Sequence, residues 1–267
     1  MAVFCSDIDG TLLNAERTLS PRTVAAVRSL IAAGHTFVLC SSRMPTSMRL
    51  LEALYEGGDV PLIAYNGGIV LRSDASVALN VPIRPTDAGA IYETCQRLDL
   101  HGSFYSGEDW YAWAEDKWTA REANNTGVHP NDEFASEYYD SGRIKSAPPH
   151  KVMCMGEANL IDIVEQQLAH VPEVVTYRSK DTYLEIANAE CSKGAGLASV
   201  AQELGVDLAD CYFFGDNYND LPAFAVVGTS IAVSNAKDAV LAAATVVTSR
   251  HHDDGVAEYL ENFLATS

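Results

Sequence analysis

Short hydrophobic runs recur along the chain, and several of them are followed by segments with a helical pattern. The runs lie in both halves of the sequence, at residues 2–6, 36–41, 61–65, 211–215, 229–233 and 244–248. Between the first two runs, Ser20 and Pro21 are typical of the first residues of a helix, and Gly34 is typical of a helix end. Continuously apolar strands that alternate with helices indicate a parallel sheet that is covered on both faces. The two ends of the chain therefore predict one α/β domain.

The middle of the chain has a different pattern. Helices are predicted there at residues 86–99 and 157–170, and a strand at residues 151–156. Hairpins are predicted at residues 103–114 and 174–187. This mixture is typical of an α+β domain inserted into another domain. The sequence therefore predicts a Rossmann-like, doubly wound parallel sheet core from residues 1–82 and 191–267, with an α+β insertion at residues 83–190.

The composition narrows the partners that the protein could bind. A net charge of −18 argues against nucleic acid and anionic membranes, because both require a basic surface. No hydrophobic run approaches the length of about 18 residues that a membrane span needs, and no signal peptide is recognised. The six cysteines include no C-x-x-C pair, so no zinc site is expected. Four of them lie inside apolar runs, which indicates a reduced compartment without disulfides. We therefore expect a cytoplasmic protein.

Polar side chains follow the hydrophobic runs at the points where the predicted strands end. The residues at these points are Asp7, Asp9, Ser41, Ser42, Arg43, Asn66, Gly67, Asp216, Asn219 and Asp220, and Lys193 begins a later helix. Ligands of open parallel α/β sheets bind beyond the carboxyl ends of the strands. We therefore expect these clusters to converge on one site.

The four aspartates among these residues would repel one another if they converged, and a hard divalent cation would relieve the repulsion. Oxygen ligands alone are typical of Mg²⁺, which commonly shares its site with phosphate oxygens. The Ser41 hydroxyl, the backbone N–H near Ser42 and the Lys193 ammonium are suited to bind such oxygens. A metal ion and a lysine would create a local positive site inside an acidic protein.

Each motif taken alone has a more common explanation. An Asp-x-Asp-Gly sequence is often a turn, Ser41 and Ser42 could cap a helix, and a single lysine is usually solvated. A calcium-binding loop is excluded, because its required glycine and glutamate positions hold Leu12 and Thr18. The joint placement of the motifs at strand ends favours a functional site.

The motifs together resemble those of the haloacid dehalogenase superfamily phosphatases, in particular the Cof-like group with a type IIB cap. The first motif corresponds to residues 7–13, the second to Ser41 with Arg43, the third to Lys193 with Gly194, and the fourth to residues 215–220. The second motif usually reads Thr-Gly-Arg in this group, so Ser42 occupies a glycine position. A common methionine after the fourth motif is replaced by Ala223.

The resemblance implies a role for each of these residues. Asp7 would be the nucleophile, and Asp9 the general acid and base, so the mechanism predicts a raised pKa for Asp9 and an ionised Asp7. Mg²⁺ would be bound by Asp7, the backbone carbonyl of Asp9 and Asp216, with support from Asp220 through a bound water or Lys193. Phosphate would be held by Ser41, Ser42, Lys193 and Asn219, and the rest of the substrate by Arg43, Asn66 and Gly67.

The function implied by this resemblance is a Mg²⁺-dependent phosphatase that forms a phospho-aspartyl intermediate. Its substrates would be small phosphorylated metabolites such as sugar phosphates, and the insertion would act as the cap that determines substrate choice. A sugar phosphomutase of the same superfamily is an alternative. A non-catalytic phospho-aspartyl signalling module is another, although Asp9 and the insertion argue against it. We expect a monomer or a small homo-oligomer.

Overall fold

The computed structural model describes residues 1–266 and divides into two compact units. The first, the core unit, contains Met1–Asn80 and the chain from Ser192 onward, and the second, the inserted unit, contains Val81–Cys191. The boundaries predicted from the sequence differ by one or two residues, because Val81, Pro82 and Cys191 group with the inserted unit.

The strands and helices occupy the following ranges. The strands are β1 (Val3–Ser6), β2 (Thr36–Leu39), β3 (Leu62–Ala64), β4 (Ile69–Leu71), β5 (Val77–Asn80), β6 (His101–Ser106), β7 (Asp109–Tyr111), β8 (Lys151–Met155), β9 (Val174–Lys180), β10 (Tyr183–Asn188), β11 (Cys211–Gly215), β12 (Thr229–Val233) and β13 (Val246–Thr248). The helices are α1 (Pro21–Ala32), α2 (Pro45–Tyr55), α3 (Pro85–Leu98), α4 (Lys117–Thr126), α5 (Ala135–Asp140), α6 (Arg143–Ser146), α7 (Ala158–Leu168), α8 (Lys193–Leu204), α9 (Leu221–Phe224), α10 (Asp238–Ala243) and α11 (Gly255–Thr266). Single helical turns lie at Ile8–Leu12, Tyr65–Gly67, Leu208–Asp210, Tyr218–Asp220 and His251–Asp253.

The core unit contains a parallel sheet with the strand order β13–β12–β11–β1–β2. Two successive residues of β1, whose side chains point to opposite faces, show that both faces of the sheet are covered. Cys5 packs in the same hydrophobic cluster as Leu197 of α8, whereas the ring of Phe4 lies 4.9 Å from that of Phe263 on α11. The predicted α/β core with helices on both faces is therefore confirmed.

The hydrophobic run at residues 61–65 is an exception to the predicted arrangement. Its strand, β3, belongs to an antiparallel sheet with the order β3–β4–β5, and it meets the parallel sheet through a bridge between Cys40 and Ile63. The prediction that this run joins the parallel sheet was wrong in this respect. The hairpin of β4 and β5 was not predicted, because β4 is only three residues long and β5 is partly exposed.

The inserted unit contains an antiparallel sheet with the order β7–β6–β8–β10–β9. Both predicted hairpins are present, as the pairs β6–β7 and β9–β10. One face of the sheet buries Phe104, Val152 and Leu184 in a cluster with Ile91 of α3 and Ile161 of α7. Helices α4 to α6 were not predicted, because their sequences are short or largely polar. Among the described residues, no helix has both the length and the apolar character that a membrane span requires.

Candidate active site

Asp7 and Asp9 lie at the carboxyl end of β1, in a loop that passes close to the end of β11. The Asp7 N–H donates a hydrogen bond to the Phe214 carbonyl at 2.9 Å, which continues the strand pairing by one residue. Gly10 has a φ of +89°, and a Cβ atom there would lie 2.6 Å from Oδ2 of Asp216. The glycine therefore permits a close approach of the first motif to the fourth.

Three carboxylates converge beyond the ends of β1 and β11. Asp7, Asp216 and Asp220 each contribute one oxygen to a group in which all of these atoms lie within 4.8 Å of one another. Asp216 accepts a hydrogen bond from Oγ1 of Thr11 at 3.0 Å. Oδ2 of Asp220 accepts the N–H groups of Asp216 and Asn217, both at 2.9 Å, which fixes the turn between them.

Lys193 is the charged partner of this carboxylate group. It is the first residue of α8. The residue before it, Ser192, caps the helix, because its hydroxyl accepts the N–H of Ala195. The fully buried ammonium of Lys193 donates to Oδ1 of Asp7 and to Oδ1 of Asp220, at 2.6 Å in each case. One ammonium faces three carboxylates, so the site has an excess of negative charge.

The pKa shifts in this group reflect burial together with the excess of charge. Burial raises the pKa of Asp7 well above its ordinary value; Lys193 opposes this shift, and Asp220 adds to it. Burial and Asp220 also raise the pKa of Asp216, to about 6. Burial alone would lower the pKa of Lys193, but the charges of Asp220 and Asp7 raise it well above normal. The predicted ionised form of Asp7 depends on a metal ion beside it and stays a prediction.

The donor set is suited to a hard divalent cation. The site presents carboxylate oxygens in a largely buried position, and burial together with repulsion from Asp220 raises the pKa values of Asp7 and Asp216. A divalent cation would relieve that repulsion, and oxygen-only ligands are typical of Mg²⁺. Asp7, Asp216 and Asp220 are therefore the side chains that could hold such an ion.

The carboxylate of Asp9 points to arginines instead of to the other aspartates. Arg43 donates to it from Nε at 2.7 Å and from Nη2 at 2.8 Å, and Arg17 donates from Nη2 at 2.8 Å. Burial alone would raise the pKa of Asp9, but the hydrogen bonds from Arg43 and the charges of Arg43 and Arg17 outweigh it and lower the pKa. The predicted raised pKa was therefore wrong for this geometry. Sequence reasoning missed Arg17, which belongs to no motif.

The Ser41–Arg43 segment follows β2, which lies beside β1 in the sheet. The N–H of Ser41 donates to the Ile63 carbonyl at 2.9 Å, and its buried hydroxyl accepts the N–H of Arg43 at 3.3 Å. Ser42 is half-buried. It is not among the described non-glycine residues with a positive φ, so this turn does not require glycine at that position.

Asn66, Gly67 and Asn219 form a neighbouring part of the site. Nδ2 of Asn219 donates to Oδ1 of Asn66 at 3.0 Å, and Oδ1 of Asn219 is buried without a hydrogen-bond partner in the described part of the chain. Gly67 has a φ of +92°, and a Cβ atom there would collide with the backbone carbonyl of Ser192. The glycine is therefore explained by its packing beneath the start of α8.

Asn235 is a further residue of this region to which the sequence reasoning assigned no role. It follows β12, and its Nδ2 donates to the Gly10 carbonyl at 2.9 Å. Its Oδ1 accepts the N–H of His251 at 3.0 Å. Asn235 thus ties the loops after β1, β12 and β13 together, and its position after a hydrophobic run is the signal that could have identified it.

Known proteins match nearly the whole chain. The profile of the haloacid dehalogenase-like hydrolases matches residues 4–260. A Haemophilus influenzae protein provisionally named a phosphatase is 34% identical over 265 residues, which are 97% of each chain. The 5-amino-6-(5-phospho-D-ribitylamino)uracil phosphatase of Bacillus subtilis is 25% identical over 285 residues, 99% of each chain. A solved structure from Thermotoga maritima has a TM-score of 0.85 at 28% identity and covers 98% of this chain and 97% of its own.

Proposed function

The chain belongs to the haloacid dehalogenase-like hydrolase family, and we propose that it is a Mg²⁺-dependent phosphatase of small phosphorylated metabolites such as sugar phosphates. The observation that carries this proposal is the buried contact of Asp7 with Lys193, beside Asp216 and Asp220. Such a site can bring a carboxylate nucleophile against a phosphate dianion, because cationic groups offset the repulsion between them.

The proposed reaction proceeds in two steps. In the first, the Asp7 carboxylate attacks phosphorus, the bond from phosphorus to the ester oxygen breaks, and Asp9 gives its proton to the leaving oxygen. In the second, Asp9 takes a proton from water, the water oxygen bonds to phosphorus, and the bond to Asp7 breaks to release phosphate. Splitting the hydrolysis in this way replaces one difficult step by two easier ones.

The neighbouring groups would position the phosphate and neutralise its charge. Ser41, the Ser42 N–H, Lys193 and Asn219 are the proposed donors to phosphate oxygens. A Mg²⁺ ion at Asp7, Asp216 and Asp220 would supply positive charge to the phosphoryl oxygens when bound. Positioning and charge neutralisation are the main contributions to phosphoryl transfer, which suits a weak nucleophile such as a carboxylate.

Asp9 requires a change in its surroundings to act as an acid. In the structure Arg43 and Arg17 favour its ionised form. A bound phosphate dianion would compete for the arginine donors and raise the pKa of Asp9, which would prepare it to give a proton. We propose in addition that the inserted unit determines which phosphorylated metabolite is accepted.

A panel of phosphate esters, assayed with Mg²⁺ and with a chelator, tests this function. We expect Mg²⁺-dependent phosphate release that is abolished in Asp7→Asn and unchanged in Asp59→Asn, because Asp59 is an exposed aspartate of the same unit. Absence of release from every ester, or full activity in Asp7→Asn, would contradict the proposal. Isomerisation of a sugar monophosphate with little phosphate release would instead indicate a mutase.

A further inference from the structure

Arg17 is held beside Asp9 by a tight turn that joins Asn14 to Thr18. The backbone N–H of Asn14 donates to the Thr18 carbonyl, and the N–H of Arg17 donates to the Asn14 carbonyl, both at 3.0 Å. Oδ1 of Asn14 also accepts the Thr18 N–H at 2.9 Å and the Thr18 hydroxyl at 3.1 Å. These hydrogen bonds fix the position from which the Arg17 side chain reaches Asp9.

Arg17 occupies a backbone conformation that arginine rarely adopts. Its φ is +60°, in the left-handed region where glycine and asparagine are the usual residues. A bulky residue at such a position is a local exception of the kind that concentrates at functional sites. This backbone conformation places Nη2 of Arg17 2.8 Å from Oδ1 of Asp9.

The guanidinium of Arg17 retains donors that the protein does not use. Its Nη2 binds Asp9, and its Nε and Nη1 have no protein partner among residues 1–266. Arg43 already forms two hydrogen bonds with the same carboxylate. Two guanidinium groups therefore share one carboxylate, which leaves a local positive charge in a chain whose net charge is −18.

The proposed role of Asp9 determines what comes close to Arg17. A general acid has to lie within about 2.6–3.2 Å of the oxygen that it protonates. Because Arg17 binds the same carboxylate, the substituents on that oxygen must pass beside its guanidinium. A group one or two bonds from the ester oxygen would lie within reach of the unused donors of Arg17.

We propose that Arg17 is a specificity-determining residue that binds a second anionic group, a carboxylate or a further phosphate, on the leaving group of the substrate. The inference rests on the proposed phosphatase function and deepens it, because it defines the class of ester that the core unit prefers. Planar guanidinium donors match both anions, and one charge-assisted hydrogen-bonded contact changes affinity by about 10- to 100-fold.

Two small esters of similar size, phosphoglycolate and 2-hydroxyethyl phosphate, test the inference. Phosphoglycolate carries a carboxylate where 2-hydroxyethyl phosphate carries a neutral hydroxymethyl group. The value of kcat/KM is measured for both esters with Mg²⁺. The variants are Arg17→Gln, Arg17→Lys and the control Arg22→Gln. Arg22 pairs with Glu261 and has a side chain 45% exposed, against 49% for Arg17, so both glutamine variants remove one exposed, ion-paired charge.

The wild-type protein is expected to prefer phosphoglycolate, and Arg17→Gln to reduce that preference by about 10- to 100-fold. Arg17→Lys should retain part of it, and Arg22→Gln should retain all of it. Equal losses for both esters in Arg17→Gln, or the same loss of preference in Arg22→Gln, would overturn this inference alone. Absence of phosphate release from both esters and from every ester of the panel would overturn the proposed function and this inference with it.

Discussion

Arg43 binds the carboxylate of Asp9 with two parallel hydrogen bonds, from Nε to Oδ2 at 2.7 Å and from Nη2 to Oδ1 at 2.8 Å. The guanidinium is itself largely buried, and its Nη1 donates to the hydroxyl of Ser47 at 3.4 Å. Because both ends of the guanidinium are held, the plane of the Asp9 carboxylate is fixed relative to the loop after β2.

We expect Arg43→Lys to lower kcat with a smaller effect on KM. Lysine keeps the positive charge but cannot form the two parallel hydrogen bonds of the guanidinium, so Asp9 would no longer be held in one orientation for proton transfer. The expected loss is about tenfold or more. Steady-state kinetics on the best ester of the panel would measure it.

Arg49→Lys is the matched control for this change. Arg49 also forms an ion pair within the core unit, with Glu52 at 2.9 Å, but Glu52 belongs to no part of the proposed site. Its replacement should leave kcat unchanged. Retention of wild-type kcat in Arg43→Lys would show that the paired hydrogen bonds from Arg43 to Asp9 are not needed for activity.

Most of the candidate site could be predicted from the sequence because ligands of open parallel α/β sheets bind beyond the carboxyl ends of the strands. We call this the strand-end rule. Asp7 and Asp216 are far apart in the chain, yet each follows a buried apolar run, and the runs form adjacent parallel strands. The rule does not need the strand order, because all parallel strands end at the same edge of the sheet.

Arg17 and the pKa of Asp9 could not be predicted in the same way. The reach of Arg17 depends on the turn from Asn14 to Thr18, and its single position in the sequence carries no periodic or spacing signal. The downward shift of the Asp9 pKa depends on two arginine contacts that only the folded chain brings together. The β4–β5 hairpin was missed for a related reason, because short and partly exposed strands lack a clear hydrophobic pattern.

Asp216→Asn should weaken Mg²⁺ binding and stabilise the metal-free protein. The raised pKa of Asp216, about 6 against an ordinary 3.8, means that its contribution to stability is complete below 3.8 and is lost as the pH rises through 6. At pH 8 the ionised carboxylate therefore costs about 1–2 kcal/mol, allowing for its partial exposure. Urea unfolding in EDTA at pH 5 and pH 8 measures the part of this cost that develops between the two pH values.

The variant should reduce the difference in the free energy of unfolding between the two pH values, and calorimetric titration should show weaker binding of Mg²⁺. The Thr11 hydroxyl can still donate to the asparagine oxygen, so that contact is preserved. A variant less stable than the wild type in EDTA at pH 8 would contradict the proposed excess of negative charge.

Gly67→Ala is expected to destabilise the core unit by about 2 kcal/mol or more. The new Cβ would collide with the backbone carbonyl of Ser192, which cannot move without displacing the start of α8. Gly34→Ala is the control, because Gly34 has a similar φ of +87° but no heavy atom within 4 Å of a new Cβ. Equal losses of unfolding free energy in the two variants would mean that backbone strain alone explains the glycine.

We expect His150 to make the inserted unit sensitive to acid. Burial lowers the pKa of His150 to about 4, and its Nδ1 accepts the N–H of Gly107 at 3.1 Å, which requires an unprotonated Nδ1. Below about pH 6.5 the unfolded chain binds a proton that the folded side chain does not bind until about pH 4. The contribution is therefore complete above pH 6.5 and falls as the pH drops toward 4, by up to about 3 kcal/mol.

We expect His150→Gln to reduce the loss of thermal stability between pH 7.5 and pH 4.5, because glutamine does not titrate and its amide oxygen can accept the same N–H. His129→Gln provides the control, since His129 is an exposed histidine of the same unit. Thermal unfolding of the full chain at both pH values measures the two differences. The variant removes the side chain that binds a proton at a different pH in the folded and unfolded chains. If His150→Gln loses as much thermal stability between pH 7.5 and pH 4.5 as the wild type, other groups cause the acid sensitivity.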